Sequence, residues 1–399
     1  MTAPAWTRAI QKAGWALLCL FVFSIPWEKS VWVPGVGTIA RLLGMTAFLL
    51  IALAATGRRS LRPPNLALLF AVAFVCWTAA TRFWSLAPGA TDARAWTFVQ
   101  LLVMAWMIWE TCRTRERQNV LMSAYVWGTI PASVSTLLRY WRDEQTYYRR
   151  YAAAGFDPND LGLTLALAIP MALYLGLPSR GFRRWCTYTA AALAICAILL
   201  TASRSALIAS LIGFAYAALT WRRSQRAHRL ASALLLALLV LGAIWLAPVH
   251  SRQRLATLPA ELTEGTLHKR TRIWKAGLKA FKGHPLIGVG SGTYPQAVRP
   301  WLGTPPLKGH EYVAHNTFLS VLVECGVIGF GWFALLAATL AVFVWMLRAP
   351  ERVLWFVMLA VWAAGVSTLT WEHRKPAWLL FALITTCWAL SFRPEEERA

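Results

Sequence analysis

The stretch EYVAHNTFLSVLVECGVIGF, residues 311–330, opens polar and becomes membrane-like within a few positions. His315 stands at that border, followed by Asn316 and then by Gly326 and Gly329. A neutral imidazole takes a proton from a hydroxyl near neutral pH, so His315 is a candidate general base. A lone interfacial histidine also serves as a hydrogen-bonded cap, and its surroundings must separate the two readings. Those surroundings are rich in arginine: Arg204 in LLTASRSALIAS, Arg270 and Arg272 in HKRTRIWKAGLKAFKG, Arg139 and Arg150 in RYWRDEQTYYRRYAAAGFDPND, and Arg374 in LTWEHRKPAW. Guanidinium forks match phosphate oxygens in bidentate fashion. A base beside an anion clamp supplies the two parts needed to transfer a glycosyl group from a lipid diphosphate.

These residues must be positioned by membrane helices. Of the 399 residues, 58% are hydrophobic and 14% charged, against nearer a quarter charged in soluble domains. Twelve apolar stretches are long enough for a hydrocarbon core about 30 Å thick. They lie near 10–27, 37–56, 65–84, 95–111, 118–138, 159–178, 185–201, 204–221, 230–247, 327–347, 353–370 and 376–392. None alternates with period two, so helices are expected rather than barrel strands. Alternate connections carry Arg58, Arg59 and Arg62, then Arg113, Arg115 and Arg117, then Arg180, Arg183 and Arg184, then Arg222, Arg223, Arg226 and Arg229, then Arg348 and Arg352. The positive-inside rule puts these loops and both chain ends in the cytoplasm. The first span, with Arg8 and Lys12 at its flank and no small-residue cleavage site, reads as an uncleaved anchor. The expected organisation is spans 1–9 over residues 1–247, a basic outer loop over 248–313, and a His315 helix with spans 10–12 over 314–399.

The outer loops 139–158 and 248–313 go against the charge rule, from which long loops are exempt. The second holds ten Lys or Arg residues against Glu261, Glu264 and Glu311. Attraction to anionic headgroups is one explanation, and a phosphate pocket is the other. Helical phase puts Arg272, Lys275, Lys279 and Lys282 on one stripe, with Ile273, Trp274, Gly277, Leu278 and Phe281 opposite, a pattern suited to a membrane surface. Arg270 falls with Trp274 and Phe281, where a cation needs an anionic partner. Arg204, tucked between two helix ends, is a functional candidate or a snorkelling side chain. Glu372, His373, Arg374 and Lys375 fit a short solvated turn as well as a site. The glycines of HPLIGVGSGTYP, residues 284–295, follow no strand and read as a turn returning the chain to the membrane. The seven cysteines, all in or at the ends of spans, lack paired spacing and read as core residues.

At this point the sequence resembles a known family, the O-antigen ligases, which are related to O-antigen polymerases and bacterial O-oligosaccharyltransferases. HNTFLSVLVECGVIG is similar to the ligase pattern of His, a small polar residue, nine residues and G-x-x-G. SRSALI resembles the family's arginine with a downstream aliphatic, carried by Arg204, although Leu207 falls one residue early and Ile208 in the usual place. RTRIW with HPLIGVGSGTY looks like an Arg-x-x-x-Trp and Pro-x-x-Gly-x-Gly run, pointing to Arg270 with Arg272 behind it. RRYAAAGFDPNDLG is similar to a weaker segment in which Arg150 precedes a Pro-Asn pair.

The resemblance implies an all-α integral membrane protein of glycosyltransferase-C-like fold, with a large periplasmic loop containing helices between spans 9 and 10. It implies a bacterial inner-membrane enzyme joining O-antigen from undecaprenyl diphosphate to the lipid A-core oligosaccharide at the periplasmic face, by an inverting displacement. No metal and no other cofactor is expected, since no Asp, Glu or His cluster has ligand spacing. Membrane lipids are expected partners and nucleic acid is not. On this reading His315 is the base, Arg204, Arg270 and Arg272 hold the diphosphate, and Asn316, Arg139, Arg150 and Arg374 add contacts. A polymerase shares topology and donor but fits the His-Asn spacing less well. Protein oligosaccharyltransferases usually carry an extended C-terminal part after the last span. A coupled transporter would carry ionisable groups near mid-bilayer, where these spans are almost bare.

Overall fold

The computed structural model of the chain describes residues 5–58, 61–146, 150–246, 270–303 and 311–392. All of the loop 248–313 before Arg270, with Glu261 and Glu264, its stretch 304–310, and Arg59 and Arg149 lie outside the described residues. The described chain is helical apart from one two-residue antiparallel pair, Trp32–Val33 with Gly37–Thr38. The helices are α1 (Ala5–Ser24), α2 (Ile39–Arg58), α3 (Leu66–Ala80), α4 (Pro88–Thr111), α5 (Arg115–Trp141), α6 (Pro158–Gly176) and α7 (Gly181–Thr201). They continue with α8 (Arg204–Thr220), α9 (Arg226–Leu241), α10 (Arg270–Gly283), α11 (Tyr294–Leu302), α12 (Thr317–Met346), α13 (Glu351–Val366) and α14 (Lys375–Ser391).

Nine of the described helices are long and apolar enough to cross a membrane: α1–α3, α5–α9 and α12. The chain is a multi-pass membrane protein. Helices also stand at the other three expected positions, as α4, α13 and α14, with α13 only 16 residues long. Side-chain caps mark several starts: Asn65 accepts from the Leu68 amide, Thr114 from Arg117, Asp157 from Asn159 and Asp160, Ser203 from Ala206, and Asn316 from Leu319. Each satisfies an amide that the helix start leaves without a partner. α6 is 89% buried along its apolar stretch, whereas α2 and α9 are 28% buried. α6 is therefore the axis of the bundle and α2 and α9 lie at its rim.

Two cores result. The large one fills the bundle; the smaller joins Ala276 and Ala280 of α10, Tyr294, Ala297 and Val298 of α11, and Val289, Ala314 and Val323. This corrects the expectation that α10 lies on the membrane surface. Its apolar face is spent against α11 and the start of α12, while Arg272, Lys275, Lys279 and Lys282 are exposed, as is Leu278 at 47%. The helix is amphipathic because it roofs the protein, with its basic stripe outward.

α12 is broken at Gly326, which takes φ 66 and ψ −173. A break inside a membrane helix strands backbone groups, which must find partners in protein. The glycine run supplies them. Val327 and Ile328 donate to the carbonyls of Pro285 and Leu286 at 2.9 and 3.2 Å, and Val289 and Gly290 donate to those of Val323 and Glu324 at 3.1 and 2.9 Å. The Trp77 indole donates to the Cys325 carbonyl at 2.9 Å. Gly288, Gly290 and Gly292 all have positive φ, and a Cβ on Gly288 would meet the Glu324 carbonyl oxygen at 2.4 Å. HPLIGVGSGTYP is thus a splint for the broken helix rather than a plain return turn. The Glu324 carboxylate completes it by accepting from the amides of Gly292 at 2.8 Å and Tyr294 at 3.2 Å, at the start of α11.

Candidate functional site

The first half of α12 carries the histidine at its doorstep. His315 has φ +48, a left-handed conformation uncommon for a residue with a side chain. Holding it there costs about 1–3 kcal/mol, which the neighbours must offset. On one side the Trp274 indole of α10 donates to the Ala314 carbonyl at 2.7 Å. On the other, the Asn316 amide nitrogen donates to the Ser367 carbonyl at 3.3 Å while its oxygen caps Leu319. The Thr317 hydroxyl donates to the Leu369 carbonyl at 2.9 Å and accepts from the Trp371 amide at 2.8 Å. Asn316 is therefore a mount for the histidine.

Arg270 lies one helical turn before Trp274, so the same face of α10 that fixes Ala314 presents a guanidinium to the ring. Burial first, and then the Arg270 charge, lower the His315 pKa to about 4, against an opposing pull from Asp160. The imidazole is neutral at pH 7, the form that accepts a proton.

Asp160 stands in the first turn of α6, at the centre of the bundle end. Its Oδ2 lies 2.6 Å from Arg374 Nη2 and 3.5 Å from Lys29 Nζ. The neighbouring Lys375 Nζ lies 2.5 Å from Glu28 Oε2. Burial and then Asp160 push the Asp157 carboxyl up. Four chain segments thus meet around one carboxylate: the turn after α1 at Lys29, the start of α6, Arg374 just before α14, and His315 two residues before α12.

Arg150, 4% exposed, donates from Nε to the Thr201 carbonyl at 2.7 Å and from Nη2 to Asn159 Oδ1 at 2.8 Å. It ties the end of α7 to the start of α6. Arg204 opens α8, whose first turn packs on α6 so closely that a Cβ on Gly162 would meet Ala206 Cβ at 2.6 Å. Arg204 is thereby held beside the α6 terminus that carries Asp160. Arg272 is on the other side of α10 from Arg270, donates to the Leu302 carbonyl and borders an outer groove with Lys275, Lys279 and Trp301. Arg139, at the end of α5, has Nε 3.6 Å from Glu144 Oε2, an acid on its own loop. The structure therefore gathers His315, Asn316, Arg270 and Arg374, brings Arg150 and Arg204 to the adjoining α6–α7–α8 corner, and turns Arg272 and Arg139 elsewhere.

The 372–375 turn is no solvated connection. Arg94 Nη1 lies 2.9 Å from Glu372 Oε1 and 2.8 Å from His373 Nδ1. Burial opposes ionisation of Glu372, but contact with His373 and Arg94 lowers its pKa; burial and then Arg94 lower that of His373 to about 4. This buried set locks the turn that projects Arg374 and Lys375. Gly329 packs against α3, where a Cβ would meet the Trp77 ring at 2.6 Å.

Sequence reasoning missed Asp160, Glu28 and Lys29. The available signal was an acid-base pair, Glu28-Lys29, ending the first apolar span, and an aspartate one residue past the Pro-Asn pair.

Together these features define a polytopic membrane protein with a neutral histidine and a cation-rich cluster at one end of its bundle. Residues 189–333, from α7 through Arg204, Arg270, His315 and the G-x-x-G break, match the family model described as O-antigen ligase. The chain is also similar to the exopolysaccharide production protein ExoQ of Rhizobium meliloti (strain 1021), at 27% identity over 273 residues. That match covers 65% of this chain and 61% of the relative. Over residues 189–333 the chain is thus similar to O-antigen ligases.

The Trp274 contact gives a first test. A single hydrogen bond nets about 0.5–1.5 kcal/mol, so Trp274→Phe is expected to slow the activity proposed below, glycan transfer, roughly 2- to 13-fold. Transfer rates beside thermal unfolding of the detergent-purified variant check it, the melting point being expected to stay within a few degrees of the parent.

Proposed function

We propose that the protein is a lipid-linked-glycan-dependent glycosyltransferase, an O-antigen ligase. It moves O-antigen polysaccharide from undecaprenyl diphosphate to a sugar hydroxyl of the lipid A-core, at the periplasmic face of the bacterial inner membrane. The proposed topology has twelve spans, α1–α9 and α12–α14, with both termini cytoplasmic and α10 and α11 in the periplasm, in a glycosyltransferase-C-like arrangement. The observation that carries the reading is the left-handed His315, kept neutral beside Arg270 and facing the Asp160 cluster.

His315 removes the proton from the acceptor hydroxyl as that oxygen attacks the anomeric carbon. The bond from the anomeric carbon to the diphosphate oxygen breaks, and its electron pair leaves with undecaprenyl diphosphate. Attack opposite the leaving group inverts the anomeric centre. Arg270, Arg204 and Arg374 neutralise the growing charge on the diphosphate, electrostatic work done by preorganised cations. Asp160, which favours the protonated ring, stabilises the imidazolium formed, and Arg272 with the basic stripe of α10 faces the incoming glycan.

The similarity to ExoQ, an exopolysaccharide production protein, favours one second reading, a polymerase using the same donor. Reconstitution of the purified chain with lipid-linked glycan and rough lipopolysaccharide, in the presence of chelator, separates them. Glycan on the lipopolysaccharide is the expected product. A lengthened lipid-linked chain would mean polymerase, activity lost to chelator would remove metal independence, and no product of either kind would remove the reaction.

A further inference from the structure

At the rim of the bundle, α2 and α4 leave a crevice between them. Its outer part, a cavity of about 160 Å³, is bordered by Arg41 and Lys375 and floored by Phe21, Met104 and Met107. Its inner part, about 890 Å³, runs past Ala52 and Trp106 to Arg62 and Trp109 near the opposite end of the bundle. Phe48 and Val103 border both parts, and the Phe48 ring meets Trp106 edge-on with centroids 5.8 Å apart. Apart from Gln100 and Thr56, the walls between the cationic ends are apolar.

Three features choose the occupant. The outer end is continuous with the candidate site: Lys375, on the crevice wall, pairs with Glu28 at 2.5 Å, and its neighbour Arg374 pairs with Asp160 at 2.6 Å. An anionic head placed among those cations would leave its hydrocarbon at the mouth of the crevice. The walls contributed by α2 run from Ala40 to Thr56, sixteen steps or roughly 24 Å. One leaflet of hydrocarbon is only about 15 Å deep, half of a core about 30 Å thick. A diacyl lipid entering from either face therefore fills one part alone, whereas a single chain longer than a leaflet fills both. The inner end is closed by Arg62, whose guanidinium stacks 3.5 Å over the Trp109 ring and donates to the Trp109 carbonyl at 3.0 Å.

We infer that the α2–α4 crevice seats the long polyprenyl tail of a prenyl diphosphate, with Phe48 dividing it into an outer and an inner compartment. The inference rests on the proposed donor class and adds the place where its lipid lies and a reason for long chains to be preferred.

The test uses the purified full chain in nanodiscs with prenyl diphosphates of about 55 and about 15 carbons carrying a terminal diazirine. A chain of eleven isoprene units extends well beyond one leaflet, one of three does not. The long probe is expected to label residues 48–56, 61–64 and 102–109, and the short probe only the outer compartment. The long probe is expected to bind at least about tenfold more tightly than the short one, a ratio falling below about threefold in Ala52→Trp, which fills the inner compartment. Identical label maps for the two probes, or long-probe label away from α2 and α4, would overturn the inference. Equal labelling of the inner compartment by a diazirine phosphatidylglycerol would overturn the commitment to a polyprenyl chain. The map reads binding alone, so expected labels without any transfer remove the proposed reaction and keep the seat, and transfer with labels elsewhere removes only the seat.

Discussion

Replacing His315 with alanine is expected to lower glycan transfer about 10²- to 10⁴-fold, the range a positioned general base supplies, with the protein still folded. The fold should survive because the bonds that hold this corner run through the Ala314 carbonyl, the Asn316 amide and the Thr317 hydroxyl rather than the ring. Alanine is not β-branched, so the left-handed φ of +48 stays accessible to it at a cost of about the same order. The pH profile separates a base from a spacer. Only the unprotonated ring accepts a proton, so kcat/KM in the free enzyme is expected flat at neutral pH and falling as pH drops through about 4. In the donor complex the diphosphate cancels the Arg270 charge that depresses the ring, so the limb in kcat is expected at higher pH than the limb in kcat/KM. Coincident limbs, or transfer near parental rates in His315→Ala, would sink the assignment.

The second large effect is structural. Gly326→Val is expected to abolish folded protein, with a loss above about 4 kcal/mol. A side chain at this position would put its first carbon 2.2 Å from the Leu286 carbonyl oxygen, and φ +66 excludes a β-branched residue. Relief by separating the two strands would break the four cross-bonds between 285–290 and 323–328, each leaving a buried group that costs about 1–3 kcal/mol. Gly331→Val, a few residues on, has open space around its Cβ position and is expected to fold normally. Fluorescence size-exclusion profiles of the two variants make the comparison; a monodisperse Gly326→Val peak at parental yield contradicts the account.

Much of this was legible in sequence because each membrane helix answers to its own hydropathy. The kink followed from G-x-x-G, and the inward phase of Arg270 from its spacing to Trp274. What failed to show depended on distant segments meeting. Nothing local in GFDPND says that Asp160 starts the central helix, where Lys29 and Arg374 converge on it. Arg150 looked like a ligand among tyrosines, yet its fork joins the Thr201 carbonyl to Asn159. The apolar side of α10 matched a membrane-surface helix equally well, since sequence does not say which greasy surface a greasy face will find. The 372–375 turn looked wet because Arg94, its partner, is 278 positions away in the chain.

The segment joining α13 to α14 accepts from Asn316 and Thr317 through Ser367 and Leu369, and a few residues later it carries Arg374 and Lys375. Proton acceptor and two of the cations are bolted to the same short bracket. Tilting of the outer helices would shift them together, keeping their separation constant while the gap to α10 opens and closes. A displacement of α10 would carry Arg270 away with it but leave His315, Arg374 and Lys375 in register with one another.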